Sequence, residues 1–280
     1  MEQYTDFASV YDIFMKDVPY EQWADFLSSL IEHYGVSKPV REKEQGKEEV
    51  LESERNLVLD LGCGTGTLTE LLYRKGYDMI GVDYSEDMLR IATEKRQQNG
   101  SEILYLCQDM RELDLYSTVG TVISVCDSLN YLLEDEDILE TFRLVNNFLY
   151  PGGIFIFDFN TVYKYEQVIG DTTIAENREE CSFIWENYYH EEECINEYDL
   201  TIFTKEQDDL FRRFTETHYQ RGYTLEEMKM FLRRAGLEFI AALDETTHKV
   251  PAADSERIYV ICREHSKKPD VNCGISKQEG

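Results

Sequence analysis

Basic residues are scarce in this chain: 28 Lys and Arg stand against 56 Asp and Glu in 280 residues, a formal net charge of −28. A field of that sign repels phosphate backbones and anionic headgroups, which argues against general nucleic-acid or membrane-surface binding. Long apolar runs are lacking, and none approaches the roughly 20 residues needed to cross a bilayer. The first residues, MEQYTDFAS, carry acids where a secretory leader has a basic start and an apolar core. Paired cysteines are missing as well. The seven cysteines are an odd number with no C-x-x-C spacing, which fits reduced thiols in a cytoplasmic protein rather than a disulfide frame. The length suits one large domain, or one domain with an elaborate insertion.

What is present is concentrated between Asn56 and Ser85, NLVLDLGCGTGTLTELLYRKGYDMIGVDYS. Leu57-Val58-Leu59 has the length of a buried parallel strand, and Asp60 ends it. Gly62, Gly64 and Gly66 follow at alternate positions, and Leu68, Leu71 and Leu72 then recur at helical spacing until Gly76 stops the helix. A second strand, Met79 to Val82, ends on Asp83. Such a strand–loop–helix–strand unit is a mononucleotide half-site. Glycines admit a ligand close to the backbone, and an acid ending the second strand is placed to accept hydrogen bonds from ribose hydroxyls. The spacing is D-x-G-x-G-x-G. A dinucleotide loop reads G-x-G-x-x-G, and Thr67 stands where its third glycine would fall, which argues against NAD.

Asp60 to Gly66 resembles the first motif of class I S-adenosylmethionine (SAM) dependent methyltransferases. Further segments match in the expected order. Gly81-Val82-Asp83-Tyr84-Ser85, with Met88 behind it, resembles the ribose-binding end of the second strand. Gln108-Asp109-Met110-Arg111 resembles the adenine-holding segment, and Leu149 to Gly153 the turn into the fifth strand. The resemblance implies a doubly wound, Rossmann-like α/β sheet of seven strands with the last strand antiparallel. It implies SAM as cofactor and S-adenosylhomocysteine (SAH) as product. The implied cofactor contacts are Asp60, Gly62, Cys63, Gly64, Gly66, Asp83, Tyr84, Met88, Asp109 and Met110, with Cys126 and Asp127 where the fourth strand meets the cofactor.

In chain order, residues 1–35 read as a helical lid. Phe7, Val10, Tyr11 and Phe14 share one face, and Trp23, Phe26, Leu27, Leu30 and Ile31 another. Tyr4 and Tyr11-Asp12 resemble the segment that folds over the cofactor in small-molecule methyltransferases, so both tyrosines are candidate contacts and Tyr11 a candidate catalytic residue. Residues 36–56 break the pattern with Pro39, Gly46 and dense mixed charge, and read as a solvated linker. The methyltransferase domain spans 57–264. Within it, helices are expected at Glu86–Gln98 and Asp135–Leu149, and strands at Ile103–Cys107, Gly120–Val125 and Ile154–Asp158. From about 172 to 220, period-two alternation reads as an antiparallel insert, with Asp208-Asp209 at a hairpin turn. Thr224 and Glu227 form a capping box ahead of a helix ending at Gly236, and two closing strands follow. Residues 265–280 form a polar tail.

The insert resembles that of aminosugar N-methyltransferases and, more distantly, glycine N-methyltransferase, which implies a small-molecule acceptor, an amine or a hydroxyl. Cys-Asp-Ser-Leu after the fourth strand departs from the D/N-P-P-Y motif that holds planar amines. His218 is the candidate general base, a role that histidine side chains often fill. Asp127, Asp158 and Asn160 lack the spacing of a magnesium site, so no metal is expected. A SAM-binding interaction protein without catalysis and a nicotinamide oxidoreductase are the competing readings.

Overall fold

The computed structural model describes residues 7–39, 50–207 and 210–267. The central sheet has seven strands in the order β10-β11-β5-β4-β1-β2-β3. β1 (Leu57–Leu61) pairs in parallel with β2 (Asp78–Asp83) on one side and β4 (Val119–Ser124) on the other; β3 (Leu104–Cys107) and β5 (Leu149–Asn160) extend the parallel run. β11 (Arg257–Glu264) runs antiparallel between β5 and β10 (Leu237–Asp244), so the last strand is the antiparallel one. Strand order reverses between β1 and β4, and the carboxyl ends there frame the crevice in which such sheets hold ligands.

Alternation along the strands feeds a core on each face. Phe155 and Phe157 meet Phe142 of α6 (Asp135–Phe148), at ring centroid distances of 5.6 and 5.2 Å, and the same core takes Met228, Phe231 and Leu232 of α7 (Leu225–Ala235). Ile154 and Ile156 face the other way, against Leu27 and Ile31 of α2 (Tyr20–Tyr34) and Leu72 of α4 (Thr67–Arg74). α5 (Glu86–Asn99) opens on a Ser85 cap, and the capping box of Thr224 and Glu227 forms as expected.

The insert is a four-stranded antiparallel sheet, β6 (Thr173–Asn177), β7 (Cys181–His190), β8 (Ile195–Gln207) and β9 (Leu210–Arg221). Asp208 and Asp209, expected at a hairpin turn, lie outside the described residues, as do Tyr4 and most of the tail. The lid helix α1 (Ala8–Phe14) rests on the insert: Val10 packs with Leu200 and Ile202, and Phe14 meets Phe183 edge-on at 4.8 Å.

The linker reading needs correction at both ends; residues 40–49, with Gly46, lie outside the described residues. α3 (Val50–Asn56) is a helix, and Ser37 is fully buried, donating to the Arg55 carbonyl at 3.1 Å and lying 2.9 Å from the Thr121 hydroxyl. Arg55 in turn donates to the Val36 carbonyl at 3.1 Å. These partners sit far apart in sequence, and mixed charge hides the short helix that joins them. The fifth strand also begins earlier than expected, at Leu149 rather than Ile154, because Pro151-Gly152-Gly153 continues it.

A Cβ on Gly120 would stand 1.7 Å from the Arg55 carbonyl oxygen and 2.5 Å from the Ser37 hydroxyl. Gly120→Ala is therefore expected to lower stability to chemical denaturation by about 1–3 kcal/mol, the usual range for overpacking. An unchanged unfolding midpoint would mean that α3 does not lie against β4.

Candidate functional site

At the carboxyl ends of β1, β2 and β4 lies a cavity of about 380 Å³. The glycine loop forms its floor. Gly62 and Cys63 donate backbone N–H bonds to the Val82 carbonyl at 2.7 and 2.9 Å, stitching the loop to β2. Gly62 has φ +82°, and a Cβ there would stand 2.5 Å from the Ser128 hydroxyl, so this position needs glycine for both conformation and space. Gly64 has φ +54° and nothing within 4 Å of its missing Cβ; its N–H donates to Asp83 Oδ2 at 2.8 Å. Asp83 Oδ1 accepts from Ser85 N–H at 2.8 Å. Both carboxylate oxygens thus have fixed directions, and each keeps acceptor capacity on the cavity side.

Most residues singled out in the sequence converge here. Tyr11, Asp60, Gly62, Cys63, Gly64, Asp83, Tyr84, Met88, Asp109, Met110 and Cys126 all line the cavity. Gly66 does not; it starts α4 in the left-handed region, and a Cβ there would stand 2.4 Å from the Tyr105 hydroxyl. Asp127 is also absent from the lining. Its Oδ1 lies 2.5 Å from Arg257 and its Oδ2 accepts from Gln220 at 2.7 Å, so it serves the framework behind the wall. The Asp109 carboxylate pairs with Arg111 at 2.6 Å, which holds its pKa below the usual carboxylate range.

Burial pushes the Asp60 carboxyl up to about 7, opposed by a 2.6 Å bond from the Thr69 hydroxyl. Burial raises Asp83 as well, against the N–H bonds of Ser85 and Gly64. The Cys63 and Cys126 thiols are both driven up by desolvation and stay protonated.

His218 is fully buried, behind Tyr131, which lines the cavity. Its Nε2 lies 3.1 Å from Glu216, its Nδ1 3.5 Å from the Tyr131 hydroxyl, and its ring stacks on Tyr198 at 5.0 Å. Tyr131 lines the cavity, and its hydroxyl is 2.7 Å from that of Tyr198. Glu216 also accepts the Phe7 N–H of the lid at 3.1 Å. Tyr20 sits among core-facing aromatics of α2 in the sequence, yet it lines the cavity, hydrogen-bonded to Tyr11, with its hydroxyl pKa raised by burial. Among the described residues no cluster of His, Cys, Asp and Glu could hold a metal ion, and no helix is long and apolar enough to cross a membrane.

Residues 58–153 match the model of a methyltransferase domain family. Over 257 residues the chain is 34% identical to the putative methyltransferase YqeM of Bacillus subtilis, covering 91% of this chain and 95% of that one. A solved SAM-dependent methyltransferase from Clostridium acetobutylicum superposes with a TM-score of 0.77 at 29% identity, covering 94% and 99% of the two chains. CalS10, a SAM-bound amino pentose methyltransferase from Micromonospora echinaspora, shares the fold, with a TM-score of 0.67 at 16% identity over 93% and 97% of the chains. These findings replace the oxidoreductase reading.

Two outcomes are expected of the cavity. Asp83→Ala should cost about 1.5–3 kcal/mol of SAM affinity by calorimetry, the worth of a hydrogen bond to a charged group; wild-type affinity would count against the assignment. Asp60 has a folded pKa of about 7 against roughly 3.9 unfolded, so the folded chain holds an extra proton between those values and this group's contribution to stability falls as pH rises through that window. A cationic ligand favours the ionised form. SAM should therefore bind more tightly from about pH 6 to about pH 8, with the slope flattened in Asp60→Asn.

Proposed function

The chain belongs to the class I SAM-dependent methyltransferases, and on that basis we propose that it transfers the SAM methyl group to a small-molecule acceptor, an amine before a hydroxyl. The observation that carries this reading is the cover over the Tyr131 end of the cavity: Tyr131 is tied to Tyr198 on the insert, and the lid to Glu216 beside His218. A covered site suits a small acceptor better than a polymer. The basic side chain on the lining, Arg111, is matched by Asp109 and Asp137 at 2.6 and 3.1 Å, while Asp60 and Asp83 add negative charge. That balance disfavours anionic acceptors. The likeness in fold to an amino pentose methyltransferase agrees with an amine.

Bound SAM supplies a methyl group on a sulfonium, already an excellent leaving group. The work left to the chain is alignment and exclusion of water. Asp83 would accept the ribose hydroxyls on the lone pairs that Gly64 and Ser85 do not use. Tyr84, Met88, Asp109 and Met110 would enclose the adenosine end. Tyr11 and Tyr20 close the side next to Cys126. In the tautomer that donates from Nε2 to Glu216, His218 Nδ1 accepts from Tyr131. The Tyr131 oxygen is then the atom at which an acceptor's proton would be received, with His218 acting behind it rather than at the acceptor itself. An amine can lose its proton to solvent, so it depends on this route less than a hydroxyl does.

Incubation with methyl-labelled SAM and separated small-molecule and macromolecular fractions of a cell extract tests the reading. Label is expected in small products. Label confined to macromolecules, or SAM binding without transfer, would overturn it. Tyr131→Phe then reports the acceptor class: transfer should fall about a hundredfold for a hydroxyl and only a few-fold for an amine.

A further inference from the structure

The lid helix is held to the cofactor loop by a charged cluster centred on Lys95, a residue outside the motifs above. Lys95, on the third turn of α5, places its ammonium 2.7 Å from Asp12 Oδ2, 3.0 Å from the Thr65 hydroxyl and 2.6 Å from the Thr67 hydroxyl. Three acceptors thus use all three of its protons. Thr65 in turn donates to Asp12 Oδ1 at 2.7 Å, closing the ring. Burial lowers the pKa of Lys95 and its bond to Asp12 opposes that, the balance of a charge taken partly out of water for one partner.

The position of the ring gives it meaning. Thr65 and Thr67 lie on the cavity lining, and so does Tyr11, the residue before Asp12. Just after Asp12 in the chain, Arg178 of the insert donates to the Ile13 and Phe14 carbonyls and pairs with Asp17 at 2.9 Å. The lid is therefore held from two sides, by the glycine loop and α5 through Asp12 and by the insert through Phe7, Val10 and Phe14. Its insert side rests on backbone carbonyls, the Asp17 pair and an apolar cluster, whereas its loop side rests on the Asp12 carboxylate, through the Lys95 ion pair and the Thr65 and Thr67 hydroxyls. The loop side is the one whose polar contacts can break while the apolar cluster on the insert stays packed.

We propose that Lys95 is a positioning residue that clamps Asp12, and with it Tyr11, over the cofactor, and that this ion pair breaks each time SAM enters or SAH leaves. The proposal rests on the reading of the cavity as the SAM site. Such a clamp has a kinetic signature. Removing it speeds cofactor release, and salt does the same, since the screening length falls from about 10 Å at 0.1 M to about 3 Å at 1 M.

The test follows release of labelled SAM from the full chain, chased with excess unlabelled SAH, at roughly those two salt concentrations. Lys95→Met and Asp12→Asn should each release SAM about five- to tenfold faster at low salt, and respond to salt less than the wild type. The double variant should be no faster than either single one, because both break the same contact. Arg90→Met, which removes exposed pairs with Asp87 and Glu94 on the same helix, should behave as wild type. Release from Lys95→Met at the wild-type rate, or effects that add in the double variant, would overturn the clamp. If Lys95→Met does not fold, Asp12→Asn decides by the same criteria. A wild-type chain that retains no labelled SAM would instead overturn the cofactor assignment, and the clamp with it.

Discussion

Arg257 opens β11 with its guanidinium between two carboxylates, Asp158 near the end of β5 at 3.1 Å and Asp127 after β4 at 2.5 Å. Asp158 also accepts the N–H groups of Cys126 and Asp127 at 3.0 and 2.8 Å. Those two residues have φ of +61° and +54°, a conformation that side chains disfavour and that persists only when its surroundings fix it. The turn they make carries Cys126 into the cavity wall and brings Ser128 against Gly62. Gln220, bonded to both Asp127 and Tyr165, extends the network into the insert. One buried charge cluster thus sets the wall of the cavity and the seat of the sheet above it. Such a cluster is costly to desolvate, and removing one member leaves the others unpaired.

The lid joins the two halves of the site. α1 touches the glycine loop through Asp12 and the insert through Phe7, which donates to Glu216. Glu216 also bonds His218, which reaches Tyr131 on the cavity. The lid and the Tyr131 wall of the cavity therefore share contacts, so a shift of the lid is felt on both sides.

What the sequence made legible was local. Alternating and helical periods gave the doubly wound sheet and the antiparallel insert. The glycine spacing and the acid ending β2 located the cavity, because both act through backbone within one strand–loop–helix unit. Contacts between distant segments were hidden. Asp127 reads as a cavity residue until its partners at 220 and 257 are in place, and His218 as a base until Tyr131 stands in front of it. Lys95 looks like any cation on the solvated face of a helix, and only folding brings Asp12 to it. The helix at Val50–Asn56 was masked by mixed charge that contributes no apolar stripe. Tyr20 carried the pattern of a core aromatic.

The most direct test of this account is a crystal structure of the chain with SAH. The account predicts the ribose at the Asp83 carboxylate, the adenine between Tyr84 and Met110, and the thioether sulfur at the end walled by Tyr11, Tyr20 and Cys126. SAH found elsewhere, for instance in the separate cavity between Trp23, Lys164 and Arg257, or with its ribose away from Asp83, would contradict it.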